Sequence, residues 1–201
     1  MKQKIFMTVA VILTAVLAGC DGMDTPDPDV YDVGVVIGGY TWATRNVDTF
    51  GKFAALPQDL GMYYQWNRTT PWQTTGDVTG WDASTPAGNV WAAENDPCPA
   101  GWHVPTRTEL EALNAVEGVW GVQGGVSGRS YGFGTNTIFL PGGGYRVTDG
   151  SFLNKPNNNN LYWASSIESD VYATSLAFTE MSSVIGSTYR TAGALIRCVK
   201  N

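Results

Sequence analysis

The chain has 201 residues, with 12 basic and 18 acidic side chains, one histidine and three cysteines. An acidic excess with no Lys/Arg cluster excludes a surface that tracks a phosphate backbone, so nucleic acid is not an expected partner. Only 15 % of residues are charged while 12 % are aromatic and 24 are glycine, which points away from a helical bundle and toward a loop-rich and strand-rich extracytoplasmic domain.

Residues 1–19 open with Lys2 and Lys4 and continue in an apolar run from Ile5 to Gly19. That run falls short of the roughly 20 residues a permanent membrane helix needs. A cationic start, a short apolar centre and small residues at its end make an export signal. Leu17-Ala18-Gly19-Cys20 resembles the lipobox of bacterial lipoproteins, in which the cysteine thiol takes the lipid and becomes the first mature residue. The resemblance implies lipidation at Cys20 and a membrane contact through the lipid anchor only. Removing 1–19 takes away two lysines and no acid, leaving a net charge near −8. Residues 20–33 carry Asp21, Asp24, Asp27, Asp29 and Asp32 around Pro26 and Pro28, and read as an acidic, proline-stiffened tether. An acidic stretch just after a lipidated cysteine also resembles the surface-export signals of Bacteroidetes lipoproteins. It implies an outer-membrane protein facing outward at the cell surface, with a periplasm-facing anchor as the alternative.

One domain is expected over residues 34–201, long enough for a real core. Around Gly38-Gly39, β-branched and aromatic residues predict a hairpin, and Gly61–Trp66 another strand-like patch. Residues 67–92, polar and punctuated by Trp72, Trp81 and Trp91, read as an ordered surface loop pinned by its tryptophans. The one convincing helix starts near Pro105. Thr106 or Thr108 can cap it, Glu109 completes a capping box with Thr106, Leu110 and Leu113 recur at helical spacing, and Gly118 offers a stop. Glycine-dense sequence follows to about residue 136. Strands are then expected at 137–140, 144–147, 161–165, 172–178 and 194–199. Strand, then one or two helices, then an antiparallel meander is an α+β order.

With Cys20 lipidated, Cys98 and Cys198 remain in a compartment that permits disulfides. A bridge would close a loop of about 100 residues; two free thiols are the alternative.

Several phrases occur in one order: Thr41–Asn46, Gly61–Trp66, the run NDPCPAGWHVPT from Asn95 to Thr106, Leu140–Arg146, Tyr162–Ser166 and Ile196–Val199. Together they resemble the Fibrobacter succinogenes major paralogous domain, a family of secreted and lipid-anchored proteins, over about residues 34–200. The resemblance implies an α+β fold of the C-type-lectin-like and formylglycine-generating-enzyme group, with looped antiparallel strands and its two ends brought together. A Cys98–Cys198 bridge agrees with it. Trp42, Trp66, Trp102 and Trp163 are expected in the core.

Little in the sequence points to catalysis. His103 is the only histidine, sits inside the NDPCPAGWHVPT phrase, and is expected to be a hydrogen-bonded structural residue. With no HExxH, second histidine or CxxC, no metal and no cofactor are expected. The paired active cysteines of formylglycine-generating enzymes have no counterpart here. Calcium-dependent sugar binding lacks its motifs, since Lys155-Pro-Asn157 has lysine where a carboxylate belongs. Trp72, Trp81, Trp91, Trp120 and Tyr131 lie in loop-like polar sequence and are the candidate ligand-binding aromatics, with loop anchoring as the competing role. The function these features predict is a non-enzymatic recognition or adhesion module for a glycan or an extracellular protein. The alternative is a structural or tip subunit of a fimbria or other surface assembly.

Overall fold

The computed structural model describes residues 31–153 and 159–201. The export signal, Cys20, most of the tether and the Lys155–Asn157 phrase lie outside the described residues. Asp32, placed with the tether above, belongs to the folded domain. Its carboxylate accepts from the Gly34 and Thr44 amides at 2.9 and 2.8 Å and faces Arg45 at 3.6 Å.

Fourteen short strands and one α-helix are found among the described residues, so the α+β expectation is corrected to a nearly all-β fold of four small antiparallel sheets. The first sheet joins β1 (Val35–Ile37), β2 (Tyr40–Trp42), β14 (Val199–Lys200) and β4 (Trp102–His103), in that order. Gly38 and Gly39, with φ of 60° and 87°, make the predicted β1–β2 turn. The last strand lies between β2 and β4, which brings the two ends of the domain together.

Helix α1 (Arg107–Asn114) has the predicted capping box: Thr106 accepts from the Glu109 amide, and the Glu109 carboxylate reaches back to the Thr106 amide at 2.6 Å. It ends four residues before Gly118, which begins a strand instead. Leu110 and Leu113 face inward and are almost fully buried, each contributing about 1.5–3 kcal/mol.

The main departure from expectation lies in the glycine-dense stretch. β5 (Gly118–Gln123) and β6 (Val126–Phe133) lie there and form a three-stranded meander with β7 (Asn136–Pro141), the strand expected at 137–140. Gly124-Gly125 turns the first hairpin at φ 57° and 83°. Within β6, Gly128 is required because a Cβ there would lie 2.5 Å from the Phe139 ring. Glycine thus marks tight sheet packing at this position rather than loop.

The third sheet, β10 (Asn160–Ile167), β11 (Tyr172–Phe178) and β12 (Ser183–Tyr189), divides the core. Tyr162, Leu176 and Phe178 pack into one apolar cluster with Leu110, Leu113 and Tyr131. Leu161, Trp163 and Ala173 pack into the other, with Trp66, Trp102 and the cysteines. This two-sided burial differs from the half-buried strand that the alternation in 172–178 predicts. A fourth sheet of two-residue strands, β3 (Tyr64–Gln65), β13 (Gly193–Ala194), β8 (Tyr145–Arg146) and β9 (Phe152–Leu153), closes the structure. Cys98 and Cys198 are joined in a disulfide, beside the β4–β14 pair.

Candidate functional site

The 67–92 loop is ordered, but arginines and one asparagine hold it as much as tryptophans do. The buried guanidinium of Arg146 donates to the carbonyls of Gln73, Thr75 and Gly76 at 2.6–3.2 Å. Arg190 donates to those of Ala87 and Gly88 and lies 4.1 Å from the Trp66 ring centre. Asn67, at φ 55°, donates to the Ala87 carbonyl and accepts from the Ala92 amide. Arg68 pairs with Asp82 across the loop base. The fold therefore uses these buried cations to fix loop carbonyls.

That scaffold accounts for the positions of the candidate aromatics. Trp91 is buried against Trp66, ring centres 5.5 Å apart, and Tyr131 is fully buried. Both are core residues: the loop-like sequence around Tyr131 is the β6 strand, and Trp91 is drawn inward by the Trp66 face. Trp120 is half-buried with its ring 6.3 Å from Phe178. Trp72 and Trp81 pack on each other at 4.9 Å, and the Trp81 indole donates to the Thr148 carbonyl. Gly150 and Gly193 give Trp81 room, since a Cβ on either would come within 2.8 Å of its ring. The placement matches loop anchoring for most of this set.

The concavity lies next to Trp81 rather than on it. A cleft of about 460 Å³ opens over the β10–β12 sheet. Its floor is made by Ser175 and Ala177 of β11, Gly186 of β12 and Leu161 of β10. Tyr145, Val147 and Thr148 wall one side. Tyr172 and Tyr189 flank the other, opposite each other in register with ring centres 4.5 Å apart. Thr148 and Ala192 connect the cleft to Trp81, because one accepts its indole hydrogen bond and the other precedes Gly193, on which its ring rests. An apolar floor with a few hydroxyls and an amide at its edge is the usual make-up of a small-molecule site.

A second depression, about 560 Å³, lies in the 67–92 loop itself between Asn67–Thr70 and Ser84–Ala87. Its lining is hydroxyl, amide and Arg68, already paired with Asp82, with little apolar surface to exclude water, so the first cleft is the stronger site.

Sequence reasoning missed Tyr145, Tyr172, Tyr189 and Gly186. A signal was present: Ser175 and Ala177 alternate with the larger Leu176 and Phe178 of β11, giving that stretch of the strand a face too small to fill the space above it.

His103 stands beside a carboxylate, but within a saturated structural cluster and lining neither cleft. Its Nε2 is 3.1 Å from Glu109 Oε1 and its Nδ1 is 2.7 Å from Asn201 Oδ1. The other Glu109 oxygen accepts from the Thr106 amide and hydroxyl. The Glu109 hydrogen bond raises the imidazole above its ordinary value. Burial pushes the Glu109 carboxyl up, but its bonds to His103 and Thr106 outweigh this and leave it low. Two acceptors facing one ring favour the doubly protonated imidazolium.

A raised histidine contributes stability that is full below its unfolded value, about 6.5, and is lost as pH rises through the folded value. A lowered carboxyl contributes above its unfolded value, about 4.3, and is lost as pH falls through the folded value. Thermal midpoints measured against pH are therefore expected to show an advantage over His103→Gln that is largest in mildly acidic buffer and fades on the alkaline side. Equal midpoints for the two proteins at mildly acidic pH would contradict the charged pair.

Comparisons of the chain with protein families, with curated proteins and with solved structures find no match.

Proposed function

We propose that the chain is a lipid-anchored protein of the outer membrane, displayed at the cell surface, whose domain is a non-enzymatic recognition or adhesion module for a glycan or an extracellular protein. The single observation behind the recognition part is the three-tyrosine cleft over the β10–β12 sheet. Aromatic side chains around a concave, partly apolar floor supply contact area at low entropic cost. The Leu17–Cys20 lipobox resemblance and the acidic segment behind it support the address. The phrase resemblance to the major paralogous domain agrees with a secreted or surface protein and adds no ligand.

The test uses cells displaying the full chain, probed with labelled glycans, mucins and matrix proteins. Saturable binding that drops at least tenfold in Tyr172→Ala/Tyr189→Ala supports the module. In the same cells Cys20→Ser is expected to move the protein out of the membrane fraction. Folded protein that binds nothing in the array would overturn the recognition reading.

A second reading, a subunit of a surface assembly, is favoured by one observation. β5 is an edge strand with Val119 and Val122 about two-thirds exposed, the kind of edge to which another strand can add.

A further inference from the structure

Gly186 sits in the interior of β12, opposite Ser175 of β11 and two register rows from Thr188. Most of the described glycines have a physical reason of their own. Gly38, Gly61 and Gly144 take positive φ, and Gly128 is forced by the Phe139 ring. Gly186, like Gly121 of β5, has neither reason, and of the two it is Gly186 that lines the cleft. Its φ lies outside the left-handed range, and a Cβ built on it would meet nothing within 4 Å. Glycine in a strand interior weakens the strand, and where packing does not demand it, it marks close approach of something else. The open space above Gly186 is the cleft.

We propose, resting on the recognition reading above, that Gly186 is the seat of the ligand and that the ligand is an uncharged saccharide ring bound without calcium. Charge selects the class. Among the described residues no Asp, Glu, Lys, Arg or His lines the cleft, so these offer neither a counter-ion for a sulfated or uronic sugar nor a carboxylate for a cation. The chain as a whole carries an excess of acid, which repels anions at long range. The lining is amphipathic in the way a pyranose is. Ala177, Leu161 and the bare Gly186 backbone present an apolar floor, while Thr148, Ser187 and Asn159 bring a hydroxyl or amide to the lining. Ser175 and Thr188 are already hydrogen-bonded to each other at 2.8 Å, which fixes the floor before anything binds. The Tyr172–Tyr189 pair flanks this floor. A ring laid flat on Gly186 loses its place when a side chain grows there.

Gly186→Val tests this without risking the fold, because valine suits a strand and the space it enters is empty. Full-length protein in a non-glycosidic detergent is titrated with neutral oligosaccharides of glucose, galactose, mannose and N-acetylglucosamine, and with heparin fragments and polygalacturonate, each with and without EDTA. The expected result is saturable binding of at least one neutral series, unchanged by EDTA. It falls at least tenfold in Gly186→Val and less in Gly186→Ala, with thermal midpoints equal to wild type or higher. Binding undiminished in Gly186→Val overturns the seat, and preference for the anionic polymers overturns the ligand class. Both outcomes leave the recognition reading standing. Binding to host proteins alone overturns the saccharide, and binding to nothing overturns the recognition reading itself.

Discussion

Replacing both Cys98 and Cys198 with alanine is expected to lower the thermal midpoint by roughly 10–20 °C. The bridge spans a sequence separation of 100 residues, for which the chain-entropy model gives about 4.7 kcal/mol. A domain of this size shifts about 2–4 °C per kcal/mol. Most of the effect is expected in the unfolded state, because the folded geometry around Cys98 has other supports. Asp96 accepts from the amides of Cys98 and Val104 at 2.9 and 3.0 Å, and the Gly51 amide donates to the Pro97 carbonyl. On the other side the Cys198 carbonyl accepts from the Ala43 amide at 2.9 Å. The freed unfolded chain should expose more surface, so the urea m-value should rise as the midpoint falls. A midpoint within 3 °C of wild type, with the bridge confirmed in the parent by thiol titration, would contradict this role.

What the sequence made legible were the features set by local chemistry. Thr106 and Glu109 specify a helix start wherever they occur three residues apart before an apolar repeat, and the helix begins there. Gly38-Gly39 specifies a tight turn, and β1 and β2 pair around it. The bounds of strand β11 were legible to the residue, although the half-buried face expected of it was not what the two-sided packing gives. Strands β5 and β6 were not legible, because glycine lowers strand propensity and its compensation is tertiary, whereas β7 was expected at 137–140. The Phe139 ring and the Leu140 carbonyl lying across Gly128 explain that residue, and they are eleven and twelve positions away. Missing those strands turned a nearly all-β fold into an α+β expectation. Strand β12 was missed for a related reason: Ser, Gly and Thr dilute its apolar pattern.

The candidate site was less legible than the fold. Tryptophans in polar sequence suggested exposed platforms, yet polar sequence here belongs to a loop whose carbonyls are gathered by Arg146 and Arg190. Once the loop is drawn in, Trp81 rests on Gly150 and Gly193 and its indole is spent on Thr148. The cleft depends instead on which small residues share a sheet face across three strands. That is set by the register pairing Trp163 with Ser175 and Ser175 with Gly186, not by anything within one strand.

The other large effect is expected at Arg197. Its side chain is almost fully buried, and burial pushes the guanidinium down to about 10, so it remains charged at neutral pH. It donates to Asn46 Oδ1 at 2.9 Å, to the Ala43 carbonyl at 3.1 Å and to the Phe139 carbonyl at 2.9 Å. Asn46 in turn donates to the Tyr162 hydroxyl, which donates to the Pro141 carbonyl. One cation thus ties β2 and its following turn to β7 and β10. Methionine fills similar volume but leaves three acceptors without donors in a dry interior, each worth about 1–3 kcal/mol. Removing the buried charge recovers part of this, so Arg197→Met is expected to lose about 3–5 kcal/mol, the range for breaking a buried charged network. Arg197→Lys keeps the charge but not the planar fork that reaches three separate oxygens, and should recover little. Equilibrium urea unfolding decides the point. If Arg197→Met lies within about 0.5 kcal/mol of wild type, the scatter of an ordinary surface change, the network is not what joins the sheets.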